Sequence, residues 1–239
     1  MEDRDGFVLL MIGNRCHEPA RLGTMAAEEE EQMGLFLAIS GVANAGRATV
    51  EEALRAYAVE RGGTLESVGP SADLSDALLI ADSGNHVTVM YPCDFVKWDE
   101  ASEHLSKTLG TSVVSLHIHD EDLWMYVLFS KGEQIDQFNP IPDYWSRKMP
   151  KSEKQVWAGN AAVVAQHWPG LAPESIREYL HEWDLDAEDS DLAYADDEFP
   201  YNECWQMTDF MGRLGLVYPI DDDGNTNAAT YRFVMPNRG

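Results

Sequence analysis

The chain of 239 residues carries 42 Asp and Glu against 17 Lys and Arg, a net charge of −25, with hydrophobic residues at an ordinary globular 44%. A surface this negative repels phosphate backbones and anionic lipid, which argues against nucleic acid and membranes as partners and leaves a basic protein as the natural complement. No apolar run reaches the roughly 18 residues of a membrane-crossing helix. The three cysteines, Cys16, Cys93 and Cys204, form no CxxC pair, which argues against a disulfide framework or zinc knuckle; they fit a reducing cytoplasm, with Cys93 and Cys204 as small core residues.

Residues 1 to 32 show no sustained period. FVLLMIG at 7 to 13 follows Glu2, Asp3 and Asp5, where an export signal would be basic. The stretch ends in AAEEEEQ, directly before the apolar run MGLFLAISGV. It reads either as a disordered acidic extension or as a start placed too early, with Met33 as the true initiator. Both readings expect the fold to begin near Met33.

From Met33 the pattern predicts a strand at 35 to 42, a helix at 50 to 61, and strands near 64 to 68, 77 to 82 and 86 to 91. Thr49 with Glu52 suggests a capping box, Val50, Leu54, Tyr57 and Ala58 form one stripe, and Gly62 and Gly63 stop the helix. SGNH at 83 to 86 is a hairpin turn. A second helix follows, capped by Asp99, striped by Trp98, Ala101, Leu105 and Leu109, and closed by Gly110; strands come next near 112 to 119, 123 to 130 and 133 to 138. Gly63-Thr64 and Gly110-Thr111 mark matching points, so residues 33 to 145 read as a tandem βαβββ pattern sharing the strand 86 to 91. The expected class is α+β, an antiparallel sheet with helices on one face.

Residues 146 to 155 form a basic linker with Arg147, Lys148, Lys151 and Lys154. Beyond it, 156 to 239 reads as an acidic helical region. Asn160 can cap AAVVAQHW, Pro173 opens PESIREYLHEW, and Asn202 can start a helix that Gly215 ends. Trp157, Trp168, Trp183 and Trp205 need burial, so this region should pack on the sheet. DDDGNTN at 221 to 227 lacks the Gly and Glu that an EF-hand requires at its sixth and twelfth positions, and reads as a solvated turn before a last strand, TYRFVM.

Two stretches are candidate sites. HIHDEDLWMY, 117 to 126, sets His117 and His119 on one strand face, where an HxH pair could chelate a metal; Glu121 and Asp122 stand where the HxHxDH pattern needs Asp and His. The stretch therefore reads as a hairpin, with no metal or cofactor, and with the histidines stacking on Trp124 and Tyr126 across the strand pair. EWDLDAEDSDLAYADDEF, 182 to 199, interleaves acids with apolar residues, and Asp186, Glu188, Asp189, Asp191 and Tyr194 are its candidate binding residues. Trp145 is a second candidate aromatic anchor. Nucleotide and hydrolase signatures are absent, and Cys204 reads as a structural cysteine. The expected function is that of a cytoplasmic, monomeric or weakly associating bacterial-type protein that binds, and neutralises or regulates, a basic partner. The rival is a hydrolase-type enzyme with a pocket between sheet and helices, using His117, His119, Asp120 and Asp122.

Overall fold

A computed structural model describes residues 34–69, 73–146, 148–186 and 191–234. The expectations for residues 1 to 32 and for Glu188 and Asp189 lie outside these. Eight strands form one sheet, in which every pairing is antiparallel: β1 (Leu37–Val42), β2 (Thr64–Ser67), β3 (Leu78–Ser83), β4 (His86–Met90), β5 (Ser112–His119), β6 (Leu123–Ser130), β7 (Glu133–Phe138) and β8 (Ala229–Val234). Their spatial order is β2-β8-β3-β4-β1-β5-β6-β7. With helices added the class is α+β.

Strand β1 is buried along its whole length because it lies between β4 and β5 and is covered on both faces. Alternation sorts its side chains: Leu37 and Ile39 enter the core shared with the C-terminal region, Ala38 and Val42 the core under the helices. Gly41 shares the first face. A Cβ there would lie 2.2 Å from Leu216 Cδ1, so the missing side chain is what lets the C-terminal region close on the sheet.

Helices α1 (Arg47–Glu60) and α2 (Trp98–Leu109) cover the other face. The predicted stripe of α1, Val50, Leu54, Tyr57 and Ala58, is buried, and in α2 Ala101 and Leu105 are buried while Trp98 and Leu109 are half-buried against the same core. Small residues bring α2 close: Ser102 Oγ lies 2.6 Å from Ser40 Oγ, which also meets Tyr91 Oη at 2.7 Å, so the buried hydroxyls satisfy one another. Both caps differ from expectation. Gly46 takes the N-cap position of α1, and Thr49 sits inside the first turn with its hydroxyl donating to the Gly46 carbonyl. In α2 the cap position is Lys97, and Asp99 with Glu100 fills the first turn, where carboxylates favour the helix dipole.

The strands and helices follow one another along the chain as expected, with a 3-10 turn at Leu74–Asp76 added between β2 and β3, but the two runs are wired differently. After α1 the chain goes to the far edge of the sheet and returns inward through β3 and β4; after α2 it enters beside β1 and proceeds outward through β5, β6 and β7. The likeness is one of element order.

Within the linker the chain forms α3 (Lys151–Lys154), and beyond it come α4 (Ala161–His167) and α5 (Gln206–Arg213). Asn160 caps α4, accepting from the N–H groups of Ala162 and Val163. The segment opened by Pro173 forms two short 3-10 turns, Pro173–Ser175 and Arg177–Tyr179, in place of the expected α-helix. Asn202 adopts a left-handed backbone, and α5 begins four residues later. Trp168, Trp183 and Trp205 are buried and Trp157 is half-buried. Phe210 of α5 stacks on Tyr126 at 5.5 Å and 7°, so the region packs on the face opposite α1 and α2, and its last strand, β8, inserts between β2 and β3. Cys93 is half-buried and disulfide-bonded, so the expectation of a core thiol holds for Cys204 alone and the cysteine argument for a reducing compartment falls away. An odd cysteine count does not forbid a single bond.

Candidate functional site

The stretch HIHDEDLWMY is the β5–β6 hairpin. His119 pairs with Leu123, leaving Asp120, Glu121 and Asp122 as the loop, with Asp120 and Glu121 at φ 53° and 64°. The loop is docked: Glu121 donates its N–H to the Leu35 carbonyl, and a Cβ on Gly34 would lie 1.9 Å from Asp120 Oδ1.

His117 is 9% exposed and lies under Trp98 of α2, ring centroids 4.5 Å apart. Burial, followed by the neighbouring His119, pushes its pKa down to about 3, so it is a neutral ring at ordinary pH. This corrects the expected stack. Trp124 and Tyr126 point to the opposite face of the sheet, because His117 pairs with Met125 while Trp124 pairs with Ile118. Trp124 donates instead to Gln206 Oε1 at 3.2 Å.

Among the described residues, the clefts at about 470, 360, 480 and 20 Å³ hold at most one of the four residues of the rival enzyme reading. Asp122 accepts from the Tyr144 hydroxyl, Asp120 abuts Gly34, and His117 lines a slot of only about 20 Å³, room for about one water. The larger clefts, about 470 Å³ beside Lys151, Lys154 and Trp157 and about 480 Å³ beside Asp94 and Arg232, include none of the four. Among the described residues no group of three or more His, Cys, Asp or Glu is placed to hold a metal ion, and no helix is long and apolar enough to cross a membrane.

Arg213 holds the C-terminal part of the acidic stretch. Arg213, at the end of α5, pairs with Asp196 at 2.7 Å and with Asp197, whose side chain is 1% exposed. Asp197 also accepts from the Tyr179 hydroxyl at 2.6 Å and from the Tyr194 N–H at 2.9 Å. Asp209, one turn earlier in α5, accepts from the N–H groups of Glu198 and Phe199. These bonds fasten residues 194 to 199 to the helix. Bonds to Asp196 and Tyr179 raise the pKa of Arg213 further, and burial raises that of Asp209.

Tyr194 is half-buried: its ring lies under Arg213 at 4.7 Å and its hydroxyl donates to the Glu174 carbonyl at 2.6 Å. It therefore braces the loop from within. Asp186 and Asp191 are exposed, and the apolar side chains between the acids divide in two, with Phe199 packed on the core while Leu185 and Leu192 remain 62% and 41% exposed. Among the described residues, Lys154 of the basic linker meets this region, lying 3.3 Å from Glu182 and 2.7 Å from Asp143.

Arg213 was not among the candidate residues, though a signal existed. It is the only basic residue between Arg177 and Arg232, and a solitary cation among so many acids is readily drawn into an internal pair. No family model, curated protein or solved structure matches the chain.

Proposed function

We propose that the protein acts by binding a basic protein partner through its acidic C-terminal surface, neutralising or regulating that partner in an immunity-like manner. The observation that carries this reading is the placing of exposed Leu185 and Leu192 next to exposed Asp186 and Asp191, with the following residues, 194 to 199, pinned by Arg213 and Asp209. Apolar side chains held in water beside carboxylates suit an interface in which leucines bury on contact and charge steers the approach. Glu188 and Asp189 belong to the same acidic run in sequence. Pinning lowers the ordering cost of association.

The test is kinetic. With a basic partner identified by cross-linking in the native cell, the variant D186N/E188Q/D189N/D191N should slow association about tenfold in low salt and change dissociation little. Replacing Leu185 and Leu192 with Ala should do the reverse and speed dissociation. An association rate indifferent to both salt and the four neutralisations removes the proposal.

A further inference from the structure

In three places the chain holds its own arginines with an aromatic face and carboxylates at its edge. Arg213 lies 4.7 Å over Tyr194 with Asp196 and Asp197, Arg61 lies 3.6 Å over Tyr57 with Glu100, and Arg55 lies 5.7 Å over Tyr231 with Glu51. The β5–β6 turn presents the same components to solvent. Trp145 is 57% exposed, yet its ring is set edgewise against His119 at 5.0 Å and Tyr144 at 5.1 Å, and the Tyr144 hydroxyl donates to Asp122. Asp120, Glu121 and Asp122 are all exposed beside it. Among the described residues no arginine or lysine pairs with these three carboxylates or lies over Trp145.

The turn also adjoins the acidic C-terminal surface. Asn202 donates to the Asp184 carbonyl at 2.9 Å, and two residues on, the Cys204 thiol is pushed up to about 12 by burial and then by the nearby charges of Glu121, Glu203 and Asp122. Glu121, Asp122 and Glu203 thus lie near one another around Cys204.

We infer that the shelf formed by Trp145, Tyr144 and the Asp120–Asp122 turn is an arginine-recognition site, the anchor by which the basic partner is held. The inference rests on the docking reading above and adds to it a chemical preference. A guanidinium is planar and weakly hydrated, so it can lie on the indole while its N–H groups reach the carboxylates; an ammonium of the same charge offers neither plane nor fork. Tryptophan and arginine are also among the residues in which interface hot spots are enriched.

Calorimetric titration of the full chain with nona-arginine and nona-lysine separates the effects, because the two peptides carry the same charge. Nona-arginine should bind about three- to thirtyfold more tightly, the span of a cation–π contact from an exposed to a desolvated site. Trp145→Ala should abolish that difference and Trp145→Phe should keep part of it, while D186N/D191N weakens both peptides alike. Equal binding of the two peptides, unchanged by Trp145→Ala and weakened by D186N/D191N, overturns the shelf and leaves the acidic docking surface standing. Failure of both peptides to bind overturns both.

Discussion

At the scale of single residues, two groups that composition would place at the surface do their work inside. Asp197 is a buried carboxylate whose charge is tolerated because Arg213, Tyr179 and the Tyr194 N–H all point at it. Replacing Arg213 with Met leaves that charge without its cation, and the expected cost is about 3 to 5 kcal/mol in urea unfolding. A loss under 1 kcal/mol would show that the loop is held by its other contacts. His117 is the second group. Its folded pKa is depressed, so the unfolded chain binds its proton more readily, and the stability that neutral His117 contributes is present above the unfolded value near 6.5 and is lost as pH falls toward about 3. Between pH 6.5 and 5 the loss amounts to about 2 kcal/mol. His117→Gln should cost about 0.5 to 2 kcal/mol at pH 7 through lost stacking on Trp98, and its deficit relative to the native chain should shrink as pH drops over that interval. A deficit that stays constant with pH would mean His117 titrates normally.

Among elements, what periodicity carries was legible and what tertiary closure decides was not. The stripes of α1 and α2, the Gly84 turn between β3 and β4, and the β5–β6 hairpin follow from local pattern, because each needs only its own residues to be recognised. The wiring is different. Nothing local tells TYRFVM to enter between β2 and β3, since a strand's neighbours are chosen by the faces other segments leave uncovered. The segment after Pro173 failed as a helix for a related reason: Tyr179 is drawn inward to meet Asp197 and Arg213, and two tight turns place it there. In the acidic loop the charges were legible, but which apolar side chains anchor and which face water depended on Arg213. The junction between sheet and C-terminal region gives an element-scale test. Gly41→Ala puts a methyl against Leu216 and, at 2.9 Å, against Val114, and should cost about 1 to 3 kcal/mol. Leu216→Ala makes room, so the double variant should lose less than the sum of the singles in denaturant titrations; strict additivity would mean that the two sites do not meet.

For the whole molecule, charge and sheet edges act in the same direction. Antiparallel sheets invite pairing at their edge strands, and here both edges are blunted. At β7 the register slips between Leu128 and Phe129, and the following segment covers its end, with the Gln137 carbonyl accepting from the Gly159 N–H. At the other edge β2 spans only Thr64–Ser67, and the Leu65 carbonyl is occupied by the Arg55 guanidinium. A net charge of −25 adds mutual repulsion between copies, so a monomer is expected in solution. The same charge acts against the compact single copy, because exposed acids such as Asp184, Asp186, Asp191 and Glu203 add like charge to one surface. Raising monovalent salt from about 20 to 200 mM shortens the screening length from about 20 Å to under 10 Å and should raise the melting temperature by a few degrees without changing the sedimentation coefficient. The pair of Arg213 with buried Asp197 should lose little under this change, being shielded from the salt. Melting that falls with added salt would mean favourable ion pairs outweigh the repulsion, and the acidic surface would then be part of what stabilises the fold.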